Sequence, residues 1–176
     1  MNKEVVRSVE RKALNVSIYE GSAASFANAV SNSYITPFAL LLTTKEIFIG
    51  YLSSFSGLIA PIAQFFGSHL MEKYHRKKLV LICVLWQALM WLPISVIAFL
   101  KLNDIAAGAL IYLMIIFYSF IAALGGLAHP SWFSWMGDIV QEKKRGEYFG
   151  KRNTIVGIVE LIAVIIALGI LRFTEN

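Results

Sequence analysis

The chain has 176 residues, of which 57% are hydrophobic and 15% charged, against about 25% charged in an average soluble domain. Its net charge of +5 raises the question of nucleic acid, but the basic residues fall in short clusters between apolar runs. That pattern suits a membrane surface and excludes nucleic acid as the expected partner. The single cysteine, Cys83, lies within an apolar run, so there is neither a disulfide framework nor metal-ligand spacing.

The N-terminal stretch MNKEVVRSVERKALNVSIYEG is basic and mixed, and the apolar stretch after it is too long and too polar for a signal-peptide core. No cleaved leader is expected. A bilayer core of about 30 Å needs roughly 20 helical residues, and five windows of that kind follow. The first, at about 16–42, is the weakest, because it carries Glu20, Asn28, Asn32 and several serines. The second covers about 46–71, the third 79–100, the fourth 105–128 and the fifth 154–171, with a loop predicted over 129–153. Strands of a membrane barrel alternate over about ten residues, whereas these runs are continuous and more than twice as long. The predicted fold is therefore all-α, a polytopic membrane bundle of about five transmembrane helices. Pro61 and Pro93 fall inside the second and third spans, where membrane helices tolerate proline, and each marks a candidate kink. In the second span Ser53, Gly57 and Pro61 recur at four-residue spacing, which permits close helix contact.

Orientation follows from the connections. Lys3, Arg7, Arg11 and Lys12, then Lys73, Arg76, Lys77 and Lys78, then Lys143, Lys144, Arg145, Lys151 and Arg152 collect on one side, thirteen in all. The other side holds three, Lys45, Lys101 and Arg172. The asymmetry predicts a multi-pass protein of the cell membrane with a cytoplasmic N-terminus. It also supports the weak first span, whose removal would put the N-terminal cluster opposite the other two.

Polar residues of the first span are not scattered. At 100° per residue, Ser17, Gly21, Ser25, Asn28, Asn32 and Thr36 share an arc of about 100°, a stripe that belongs toward a bundle interior or a water-filled cavity. Asn28 and Asn32 are candidate hydrogen-bonders on a substrate path, with helix packing as the competing role. Glu160 lies about two turns into the fifth span, where an ionised carboxylate costs about 2.5–3.5 kcal/mol on insertion scales. It is a candidate for proton coupling or substrate binding, with an ion pair to Arg152 as the competing reading. Glu20 is nearer the interface and can snorkel, and Gln64 and Gln87 are candidates for the path or for gluing helices together.

Nothing points to an enzyme. His129 and Ser131 lack a companion acid, no His-x-x-x-His pair or phosphate-binding glycine loop occurs, and no cofactor or metal is expected.

Two basic segments carry more information. Between the second and third spans the chain reads GSHLMEKYHRKKL, and between the fourth and fifth HPSWFSWMGDIVQEKKRGEYFGKRN. The first resembles the signature Gly-x-Leu-Ala-Asp-Arg-x-Gly-Arg-Arg/Lys of the major facilitator superfamily (MFS) of secondary transporters. Leu70, Glu72, Lys73, Arg76 and Lys77 fit it, with Gly67 one place early and Ser68 and His75 where the family has glycine. The second resembles the corresponding loop of that family through Pro130, Asp138, Arg145, Gly146, Gly150 and Arg152. Arg145-Gly146 is expected to allow a sharp turn, Asp138 to pair with Arg145 or with a base of the earlier loop, and Trp132 and Trp135 to anchor at the interface.

The resemblance covers essentially the whole chain, as the first five helices of a fold with twelve in the family. It implies alternating access to a small-molecule solute, together with a coupling ion such as H+ or Na+. It also implies a cytoplasmic gate or latch formed by Glu72, Lys73, Arg76, Lys77, Asp138, Arg145, Gly146 and Arg152. On this expectation the chain is the N-terminal part of a longer protein, its partners being the lipid bilayer and a C-terminal half. The family's arginine motif of the fourth helix is missing from IYLMIIFYSFIAALGG, which argues against a proton-antiport mechanism. A five-helix scaffold or assembly subunit that transports nothing is the competing expectation.

Overall fold

A computed structural model describes residues 3–105 and 107–174, with side chains described for 12–105 and 108–173. The side chains of Lys3, Arg7 and Arg11 from the N-terminal basic cluster lie outside that set. Every regular element among the described residues is helical: α1 (Lys3–Leu42), α2 (Ile47–Lys73), α3 (Arg76–Leu89), α4 (Trp91–Leu102), α5 (Ala107–Ile139) and α6 (Arg145–Thr174), with a single 3₁₀ turn at Glu142–Lys144 before α6.

Among the described residues four helical stretches are long and apolar enough to cross a membrane: Ile47–Lys73, Arg76–Leu102, Gly108–Ile139 and Glu142–Phe173, with mean hydropathies from 1.4 to 2.8. α3 and α4 together make the second of these, broken at Met90. The break has a covalent cause. Pro93 has no N–H to offer the carbonyl four residues back, which is that of Leu89, the last residue of α3. Pro61, Pro37 and Pro130 leave α2, α1 and α5 continuous. Of the two prolines expected to mark kinks, Pro93 coincides with a break and Pro61 sits in an unbroken helix.

The loop expected over 129–153 is mostly helix. α5 continues to Ile139 and α6 begins at Arg145, leaving Val140–Lys144 as the connection. A polar composition does not end a helix while its backbone hydrogen bonds continue, and α5 runs on through Pro130, as helices of membrane proteins can when neighbouring groups satisfy the freed carbonyl. Gly146 is already inside α6, and no glycine has a positive φ. The expected Arg145-Gly146 turn is instead made upstream, where Gln141 is extended (φ −55°, ψ 133°).

The α2–α3 connection is only Tyr74 and His75. Tyr74 is extended (φ −121°, ψ 151°) while its N–H still bonds the Leu70 carbonyl at 3.0 Å, and His75 turns the chain with φ −58° and ψ 119°. His75 stands where the family signature has glycine, yet its φ is one that any L-residue adopts. Elsewhere Asp104 does take a left-handed φ of 53°, closing α4 with its N–H on Lys101, a conformation that short polar side chains tolerate.

The chain divides into two compact units: residues up to Pro37 with Met136 onward, and Phe38–Trp135. In the first, α1 lies along α6. The Tyr148 hydroxyl reaches the Leu14 carbonyl (3.4 Å), Ser25 donates to the Val156 carbonyl (3.3 Å) and Tyr34 to the Ala167 carbonyl (3.0 Å). Both numbers rise together, so the two helices run parallel. The matched stretch from Leu14 to Tyr34 is about 30 Å of helix at 1.5 Å per residue. Small residues make the approach possible, with Ala29, Ala163 and Ala167 buried.

In the second unit α2 and α5 are likewise parallel. Phe48 packs edge-on against Tyr112 with centroids 5.1 Å apart. A Cβ added to Gly126 would run into the Ala60 carbonyl and come within 3.1 Å of Ala63 Cβ, and one added to Gly67 would lie 2.6 Å from the Leu127 carbonyl oxygen. This close face differs from the expected one, since Ser53, Gly57 and Pro61 are exposed and nothing lies within 4 Å of a Cβ at Gly57. Spacing finds small residues but not the side a neighbour takes. Gln87 bridges α3 to α5, its Nε2 donating to the Ile121 carbonyl at 3.1 Å.

Candidate functional site

Arg152 is eight residues into α6, on the side facing α1. Its side chain is only 12% exposed, and its Nη2 lies 3.9 Å from the Glu20 Oε2, whose side chain is 55% exposed. The guanidinium lies over Gly21, where an added Cβ would fall 2.8 Å from the Arg152 Cζ. One turn earlier on α1, Ser17 is buried with its hydroxyl lacking a hydrogen-bond partner among the described residues. The polar stripe of α1 therefore has a structural reason over its first half: Ser17 and Gly21 make room for an arginine, and Ser25 bonds α6 directly. A half-exposed pair such as Glu20 with Arg152 contributes only about 0.2–1 kcal/mol in water. Its position, a carboxylate and a guanidinium between two parallel helices, matters more than its strength.

Glu160 is not the partner of Arg152. It is exposed and, among the described residues, has no hydrogen bond or ion pair. The register between α1 and α6 assigns its level. Glu20 meets Arg152 and Ser25 meets Val156, so Glu160, one turn beyond Val156, stands level with Asn28. Asn28 is also exposed. A carboxylate and a carboxamide thus share one level of a parallel pair, two turns from the charged pair below, about 12 Å along the axis. Asn32 is a further turn along α1 and is likewise exposed. Gln64 is exposed on α2, beside the close face formed by Ala60, Ala63 and Gly67.

The basic segments are built differently from one another. Arg145 spends its guanidinium on the end of α5, with Nη2 donating to the Gly137 carbonyl at 2.7 Å and Nε to the Val140 carbonyl at 3.4 Å. The last carbonyls of a helix lack intrahelical donors and carry partial negative charge, and a forked cation satisfies both needs. Asp138 is exposed at the end of α5. In the other unit Glu72 and Lys73 close α2 and are exposed. Arg76, the first residue of α3, is partly buried, and Lys77 and Lys78 are exposed. Of the predicted site residues, the structure brings together Glu20 with Arg152, and Asn28 with the level of Glu160. It leaves Gln64, Glu72, Lys73 and Lys77 at the surface of their own unit.

Sequence reasoning missed the roles of Gly21 and Gly126. Gly21 was visible as the small member of the polar stripe, but its partner lies 131 residues away. Among the described residues, no cluster of three or more His, Cys, Asp or Glu is placed to hold a metal ion.

Parallel helices packed through glycine and alanine, apolar surface exposed along most of their length and short basic turns define the class of protein, a multi-pass membrane helix bundle. The family model described as Major Facilitator Superfamily matches residues 21–174, and the chain belongs to that family, whose members are transporters of small solutes rather than enzymes. No curated protein and no solved structure matches it.

Proposed function

We propose that this chain is part of a secondary transporter that moves a small solute by alternating access, and that it supplies the first five crossings of an N-terminal half. The observation that carries the reading is the family match over residues 21–174, joined to a carboxylate at Glu160 that has no partner among the described residues and stands level with Asn28. An ionised carboxylate without a partner is too costly to leave facing hydrocarbon, so it belongs toward a water-filled path near the middle of the bilayer, where transporters place their sites.

In this reading Asn28 and Asn32 hydrogen-bond the solute and Glu160 binds the coupling ion or a cationic group of the solute. The Glu20–Arg152 pair sits on the cytoplasmic side of that level. Glu72, Lys73, Arg76 and Lys77 with Asp138, Arg145, Gly146 and Arg152 form the cytoplasmic gate, and Arg145 and Gly146 act by shaping the entry into α6. α1 is the first crossing, supported by its parallel course beside α6 over about 30 Å, although its polar stripe keeps it out of the four most apolar spans. The N-terminus and the α2–α3 and α5–α6 turns are cytoplasmic, supported by the thirteen-to-three split of bases.

The test is uptake of a panel of radiolabelled solutes by cells expressing the full-length protein, with and without Glu160→Gln. The substitution is expected to abolish the pH or Na+ dependence of uptake while protein still reaches the membrane. Uptake unchanged across pH and Na+ would remove Glu160 from coupling. Uptake by vesicles holding only these 176 residues would overturn the assignment to part of a longer transporter.

A further inference from the structure

At the end of α2 opposite its basic turn, a cavity of about 440 Å3 opens, lined in part by Thr43, Lys45, Phe48, Lys101, Gly108 and Tyr112. Of the three bases outside the three basic clusters, two line this one cavity, and among the described residues no acid does. Glu46 and Asp104, the nearest acids in sequence, are exposed and outside its wall.

The helix ends around the cavity do not decide its sign. The amide ends of α2 and α5 contribute about half a positive charge each, and the carbonyl ends of α1 and α4 about half a negative charge each. These contributions roughly cancel, and the two ammonium groups leave the cavity cationic. Thr43 Oγ1 already accepts the Lys45 N–H at 3.2 Å, so its hydroxyl hydrogen is free to be donated. Beside this polar lining, Leu40 and Leu41 belong to the same wall and are 54% and 68% exposed. An inorganic anion gains nothing from such a flank, whereas an amphiphile uses both parts. The cavity has room for a phosphate and several waters, each of which takes roughly 30 Å3.

We infer that this cavity binds the headgroup of an anionic phospholipid from the membrane face opposite the basic turns. Lys45 and Lys101 are the counter-charges, Thr43 is a donor, and an acyl chain lies along Leu40 and Leu41. The cavity is lined by none of Glu20, Arg152 and Glu160 and does not depend on which solute the protein moves.

The experiment reconstitutes the chain in phosphatidylcholine vesicles containing a trace of photoreactive phosphatidylglycerol, and maps adducts by peptide mass spectrometry. Adducts are expected on peptides containing residues 40–48 and 108–112. They should fall about thirtyfold in the Lys45→Gln/Lys101→Gln double variant, the scale expected when two lysines each contribute near a charged surface. The Lys45→Arg/Lys101→Arg variant should retain them, which separates lost charge from lost structure. Equal labelling by photoreactive phosphatidylcholine, or labelling unchanged in the double Gln variant, would overturn the proposal. Displacement of the adducts by inorganic phosphate would reassign the site to a free anion and overturn the lipid as its occupant.

Discussion

Two acidic side chains of the first unit, Glu20 and Glu160, differ in their surroundings. Arg152 has Glu20 within 3.9 Å, while Glu160, two turns further along α6, has no partner among the described residues. Glu20→Gln keeps the shape of the side chain and removes the charge that faces a largely buried guanidinium. Solute uptake is expected to fall about tenfold, the factor that corresponds to roughly 1.4 kcal/mol, with the protein still folded by circular dichroism. Uptake at the wild-type rate would show that the pair has no part in transport. The glycines divide in the same way. At Gly67 and Gly126 an added Cβ meets helix backbone, at Gly21 it meets the movable end of an arginine, and at Gly57 it meets nothing. Gly67→Ala and Gly126→Ala are expected to destabilise by about 1–3 kcal/mol, the usual cost of overpacking. Gly57→Ala should be neutral or stabilising by up to about 1 kcal/mol, because alanine is the better helix former. Thermal melts in detergent check the order, and a Gly57→Ala loss larger than that of Gly126→Ala would contradict the packing described.

Turns and caps are where the elements depart most from what the residues announce. His75 occupies a family glycine position, yet its φ of −58° needs no glycine. His75→Gly is therefore expected to lower stability by up to about 1 kcal/mol through the freer unfolded chain; a gain in melting temperature would show that the turn is strained as it stands. Arg145 closes α5 through the carbonyls of Gly137 and Val140. Arg145→Ala should cost about 1.5–3 kcal/mol locally, as for hydrogen bonds from a charged donor, and hydrogen exchange at residues 136–144 should speed accordingly. Arg145→Lys should rescue it only in part, for want of the fork. The all-helical, membrane-spanning class was legible in the sequence because it depends on neighbours in the chain and on the bilayer thickness, whereas Pro61 and Pro93 were marked alike as kinks and only Pro93 coincides with a break. The 129–153 segment was not legible, because its helix continues through polar residues. The face of α2 that packs was not legible either, because it is chosen by Gly126 and Leu127 on another helix. Glu20 and Arg152 were each singled out, but their pairing depends on the register of α1 against α6, which no local spacing encodes.

For the whole molecule, the account depends on one arrangement: helices of a major facilitator chain crossing a bilayer in alternation, with the basic turns on a single side. Parallel packing of α1 with α6, and of α2 with α5, is what alternation requires of first and fifth and of second and fourth crossings. The measurement that tests this most directly is labelling of single cysteines in a Cys83→Ser background by a membrane-impermeant maleimide on intact cells. Cysteines replacing Thr44 and Asn103 are expected to react from outside, and those replacing Lys77 and Lys144 only after the membrane is opened. Outside labelling of Lys77 or Lys144 replacements, or the same accessibility at all four positions, would contradict the arrangement and with it the gate and path assigned to this chain.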